Sequence, residues 1–232
     1  MLSKKEINSL AIPAILYNIT EPLIGLADTA IIGQMSNSAT LAQGGVGLSA
    51  GLIATLIWGF AQMRTSLSAI ISRNFGSKNL DKIQTLIPQT LLITVLTGII
   101  LAFSFGIYFK EVTTFLFGKM DNLTFNFSND YFVIRSYGLP IGLCIALFFG
   151  VFRGYQNTSW AMYISLIGGA INIILDFILI LGVDDIIEPL GVKGAAWASV
   201  IAQIIMILLC IIVLLKKTPF TLKLSFQPNS HF

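Results

Sequence analysis

EPLIGLADTAIIG, residues 21–33, sets a carboxylate, Asp28, inside an apolar run that begins near Ile7. A second apolar run carries NIILD, residues 172–176, with Asn172 and Asp176 one helical turn apart. A charge held in hydrocarbon costs at least about 2.5–3.5 kcal/mol on insertion scales, so such a residue marks a functional site by default. Two intramembrane aspartates and an asparagine therefore set the question the rest of the chain must answer.

The surrounding composition makes the membrane reading firm. Of 232 residues, 55% are hydrophobic and 11% charged, where a soluble domain carries roughly 25% charged residues. The expected fold class is an all-α integral membrane protein. The net charge of +3 gives no reason to expect a nucleic-acid partner. Cys144 and Cys210 lie far apart in apolar runs, a spacing that fits buried thiols and neither a disulfide framework nor a zinc site. Lys4 and Lys5 precede an apolar stretch as they would in a signal peptide, but that stretch runs on to about Gly33 through Pro13 with no small-residue cleavage site. It is read as a retained first membrane helix.

A spanning helix needs about 20 mostly apolar residues. Six such stretches occur, at about 7–33, 44–72, 83–109, 129–153, 159–183 and 190–215. Turn-forming residues join most of them, and the third joint, 110–128, is long. With the N-terminus inside, the inner loops collect nine Lys and Arg residues and the outer loops three (Lys110, Lys119 and Lys193). That bias predicts cytoplasmic termini, with 1–217 as one six-helix bundle and 218–232 as a cytoplasmic tail.

Orientation converts sequence position into depth. At 1.5 Å per residue, Asp28 lies about 8 Å below the outer end of its helix and Asp176 about 10 Å below that of the fifth. Ser199 on the sixth helix and Arg135 on the fourth reach a similar level. Four helices thus bring polar groups together in the outer half of the membrane. Each also has a plainer role. An intramembrane aspartate is often simply paired, and Arg135 has the depth to do it; Asn172 can serve as interhelical glue; Ser199, in GAAWAS, can be a small packing residue; Arg64 can snorkel or pair near the inner end of the second helix. Gly138, Gly142, Ala146 and Gly150 recur every four residues, a stripe that lets another helix approach closely. Pro13, Pro22 and Pro140 remove intrahelical hydrogen bonds and favour kinks.

No HExxH, GxSxG or Walker pattern occurs, and the single histidine is His231. GGVGLSAG opens a membrane helix with no strand before it, so it is no nucleotide fingerprint. Nothing in the residues points to an enzyme or to a bound cofactor.

At PLIGLADTAIIG the chain resembles the multidrug and toxic compound extrusion (MATE) family, in its DinF-like branch. The likeness continues through GFAQMRTSLSAIISRNFGSKN, IRSYGLPIGL, GVFRGYQNTSWAMYIS, NIILDFILI and GVKGAAWASVIAQ, in the family's order and across almost the whole chain. The resemblance implies a twelve-helix antiporter of two six-helix lobes, of which this is the N-terminal lobe, in the bacterial cytoplasmic membrane. It implies a cation-coupling site at Asp28, Asn172, Asp176 and Ser199, taking H⁺ or Na⁺, with Na⁺ held at Asp28, Asn172 and Asp176. It implies an amphiphilic or cationic drug or metabolite as substrate, and a bending role for Pro13. Glu21, one heptad before Asp28, departs from the pattern and is an accessory candidate with Arg135. The chain stops after six helices, and its tail resembles the inter-lobe linker. A homodimer or a separate chain would then supply the second lobe. The alternatives are a truncated, non-transporting remnant, a partner-binding lobe, or a lipid-precursor flippase of the same superfold, which would favour a cationic cavity.

Overall fold

The apolar runs fold into helices in chain order. A computed structural model describes residues 4–35, 38–60, 62–183 and 186–220, leaving aside the side chains of residues 4–10 and 21. Its helices are α1 (Lys4–Ile32), α2 (Ala39–Phe60), α3 (Gln62–Gly76), α4 (Leu80–Ile107), α5 (Phe109–Phe117), α6 (Asn122–Ser136), α7 (Leu139–Gly154), α8 (Ser159–Leu181) and α9 (Val192–Lys217). Among the described residues, five stretches are long and apolar enough to cross a membrane, with Ala39–Gly76 counted as one. The α6–α7 pair, bent by 56°, makes a sixth. The protein is an integral, multi-pass, all-helical membrane protein.

Three boundaries differ from the sequence reading. The span expected over 44–72 reaches from 39 to 76 as two helical segments. The long joint holds a short amphipathic helix, α5, which turns Phe109 and Thr113 inward and leaves Phe115 exposed. The span expected over 129–153 starts earlier, at Asn122, because Asp121 caps it: its carboxylate accepts from the Leu123 and Thr124 N–H groups, both at 3.0 Å. This span breaks near Gly138. Pro140 has no N–H to offer the Ser136 carbonyl, and the chain tightens instead through Tyr137 N–H to Ile134 O and Gly138 N–H to Arg135 O.

α8 packs between α1 and α9; α2 lies on α6; α7 lies on α3 and α4; α6 also meets α9. Small residues permit the closest approaches. A Cβ at Gly98 on α4 would stand 2.5 Å from the Pro140 Cα. At the α2–α6 crossing, Ser49 Oγ lies 2.7 Å from Ser128 Oγ and donates to the Ser128 carbonyl at 2.6 Å. Two apolar clusters result. One, around Leu67, Ile71, Phe152 and Leu214, fills one end of the bundle; the other, around Ile32, Phe109, Phe132 and Ala195, fills the opposite end. Cys144 and Cys210 are free and buried. Leu92, Leu96, Ile99 and Phe103 stay exposed along α4, as suits a face turned to lipid. The polar groups of interest lie between the two clusters.

Candidate functional site

Three of the four helices around the site contribute polar residues one turn apart, so both members of each pair share a face. α8 gives Asn172 and Asp176; α9 gives Ser199 and Gln203; α6 gives Tyr131 and Arg135; α1 adds Asp28. Asp28, Asn172, Asp176 and Ser199 are all buried, Asp176 completely. The four residues read from the sequence as one cluster are brought together.

The Asn172 amide joins them. Its orientation follows from its neighbours: the nitrogen donates to Asp28 Oδ1 at 3.2 Å, and the oxygen accepts from the Ser199 backbone N–H at 3.2 Å. The Asp28 and Asp176 carboxyl groups come close enough to share a proton, though neither Asp176 oxygen meets a donor in ordinary hydrogen-bond geometry. Carboxylate and amide oxygens are hard donors that suit a hard cation. Among the described residues no three His, Cys, Asp or Glu side chains cluster as a transition-metal centre would need.

Arg135 does not pair with either aspartate within ion-pair distance. Its Nη1 donates to Gln203 Oε1 at 3.1 Å, and its Nε is buried without an acceptor. Arg135 still acts on both carboxylates through its charge. Tyr131, buried one turn before it, turns its hydroxyl toward Arg135 and Ser199. Sequence reading passed over Tyr131 and Gln203. Their one-turn spacing from Arg135 and Ser199 was the available signal. The Lys193–Asp130 pair, 3.4 Å apart, is exposed. Pro13 is buried in α1, which runs through it unbroken. The Glu21 side chain lies outside the described residues.

Below this cluster lies a cavity of about 160 Å³. Asn172 and Ser199 line its upper end; Trp58, Ile145, Phe149 and Met206 line its walls. The small-residue stripe of the sequence faces it, with Gly142 and Ala146 in the lining. Gly150 seats α3, since a Cβ there would stand 2.7 Å from Arg64 Cγ. Arg64 turns inward: it donates to the Tyr17 hydroxyl, lies 5.5 Å from the Tyr17 ring centre, and lines the cavity. Asp28 and Asp176 stand behind Asn172 and do not line it.

The MatE family model matches residues 13–178. The chain belongs to the MatE family. Members of this family are secondary transporters, not enzymes. The MatE chain is 28% identical over 201 residues to DNA damage-inducible protein F of Escherichia coli (strain K12), covering 87% of this chain and 42% of that protein. It is 25% identical over 225 residues to the probable multidrug resistance protein NorM of Thermotoga maritima, covering 97% and 47%. A crystal structure of MATE in the bent conformation shares the fold, with TM-score 0.86 at 21% identity over 98% of this chain and 49% of that one. The chain thus spans about half the length of the MatE relatives it matches.

Proposed function

We propose that this MatE chain is one six-helix lobe of an exporter that couples H⁺ or Na⁺ entry to the outward movement of an amphiphilic substrate, in a bacterial cytoplasmic membrane with both termini inside. The observation that carries the proposal is the pairing of Asp28 and Asp176. Two carboxyl groups from α1 and α8 meet in a buried site, and no arginine forms an ion pair with them. Like charges so placed do not both stay ionised without a cation between them. The pair shares a proton or holds Na⁺, and exchange of that cation is the chemistry of coupling. Na⁺ would lie on Asp28 and Asp176, and Asn172 would join as a ligand by turning its oxygen from Ser199. A second lobe, from another copy or a separate chain, supplies the facing wall of a substrate path.

The test is ion-dependent transport in vesicles by the chain assembled with its second lobe. Asp28→Asn and Asp176→Asn should each insert normally yet lose the dependence of transport on an imposed Na⁺ or pH gradient. Wild-type gradient dependence in both variants overturns the coupling site.

A further inference from the structure

Among the described residues, the cavity below the acidic pair has the opposite charge: its charged lining residues are Arg64 and Arg135, and no described carboxylate faces it. Each guanidinium has five N–H donors and leaves its Nε buried with no acceptor. One Nη1 of each is used, on Tyr17 and on Gln203. A buried, charged donor without an acceptor is costly, and a ligand that supplies one relieves that cost. The walls between the two arginines are apolar and aromatic, with Trp58, Ile145, Phe149 and Met206. One aromatic face that could seat a ligand cation, the Tyr17 ring, is already covered by Arg64. The arginines are not solvent-facing accidents. Gly150 lets the Arg64 backbone pack against α7, and a Cβ at Gly138 would stand 3.1 Å from Arg135 Nη1, so both are held by close helix packing.

We propose that this cavity binds small amphiphilic anions: a ring-sized apolar body bearing a carboxylate or sulfonate that an arginine grips. The size fits, since a cavity of about 150 Å³ lined by apolar side chains accepts benzene. Arginine holds a planar carboxylate through two parallel hydrogen bonds. The proposal rests on the exporter reading only in naming the class of cargo. Asn172 touches both sites, bonding to Asp28 and lining the cavity.

The experiment uses the chain in nanodiscs at pH 7 and low salt, with two probes of one shape and opposite charge. These are 4-trifluoromethylbenzoate and 4-trifluoromethylbenzylammonium, read by fluorine NMR against empty nanodiscs. The benzoate should bind about tenfold or more tightly than the ammonium. Arg64→Gln and Arg135→Gln should each weaken it by about tenfold, a loss that Arg64→Lys and Arg135→Lys partly restore. The wild-type comparison needs no variant to fold. Equal or tighter binding of the ammonium, benzoate binding that neither glutamine variant moves, or no benzoate signal above the empty discs overturns the proposal. The binding measurement applies no ion gradient and so does not depend on coupling. Wild-type gradient dependence in both Asp28→Asn and Asp176→Asn therefore strikes the exporter reading alone, while reversed charge preference with that dependence lost strikes this one alone.

Discussion

Arg135 donates to Gln203 at 3.1 Å and forms no ion pair with Asp28 or Asp176. The nearest simple explanation for two membrane aspartates, neutralisation by a neighbouring arginine, therefore fails on geometry. Arg135→Gln should not rescue the gradient dependence lost in Asp28→Asn or Asp176→Asn. Recovery of wild-type ion dependence in either double variant would restore the pairing explanation.

Asn172→Ala should cost more than Ser199→Ala. The alanine at 172 removes hydrogen bonds to two helices, and such interhelical bonds in membranes average about 0.6 kcal/mol and reach about 1.7. The contact made by Ser199 with Asn172 comes from its backbone N–H, which alanine keeps. Ion affinity by isothermal titration should rank the variants wild type, Ser199→Ala, Asn172→Ala. A reversed order would mean that the hydroxyl is the ligand that matters.

Gly98→Ala should destabilise the lobe by about 1–3 kcal/mol, the usual range for overpacking. Its Cβ would fall 2.5 Å from the Pro140 Cα and 3.0 Å from the Pro140 Cβ, and rigid backbone cannot yield as a flexible side chain does. Thermal unfolding in detergent should show the drop, while Gly106→Ala, which meets nothing within 4 Å, should not.

The cap of α6 should respond to acid. The Thr124 hydroxyl, with the Thr124 and Leu123 N–H groups, holds the Asp121 carboxyl below its ordinary value of 3.8. A depressed folded value means that the stabilisation is complete above the ordinary value and lost as pH falls through the lower, folded one. Amide exchange at Leu123 and Thr124, corrected for intrinsic rates, should therefore quicken in that acid window. Asp121→Asn, an uncharged cap, should show no step there.

Reporter fusions at Asn79, Gln156 and Lys217 should read cytoplasmic, and those at Asp121 and Glu188 periplasmic. The motive is the nine-to-three excess of basic residues in the inner loops. A periplasmic signal at Gln156 would invert the assignment of α6 through α8.

Asp28, Asn172 and Asp176 were legible because each interrupts an apolar run, and the helical rise set them at one depth. Rise gives level and not azimuth, so Arg135 was matched to the aspartates by height although its guanidinium turns to Gln203. Gln203 and Tyr131 escaped notice because an amide and a phenol do not stand out in a hydrophobic run as a charge does. The kink at Pro140 was readable from the missing donor; its 56° bend was not. α5 looked like loop because Lys110, Glu111, Thr113 and Thr114 break its apolar pattern, and the stacking of Phe109 on Phe132, 4.5 Å between ring centres, is a long-range contact. The cationic lining of the cavity was hidden for the same reason: a count of intramembrane charges does not say which of them face one space.

Asn172 belongs to two enclosures. It bonds to Asp28 on one side and lines the cavity on the other. A side chain with that double membership enforces reciprocity. If turning its amide to receive a cation alters the grip on whatever fills the cavity, then filling the cavity must alter cation affinity by the same factor. A single amide flip, rather than a chain of relayed motions, is then long enough to carry the message, and its two orientations define two states that each occupant can favour or oppose.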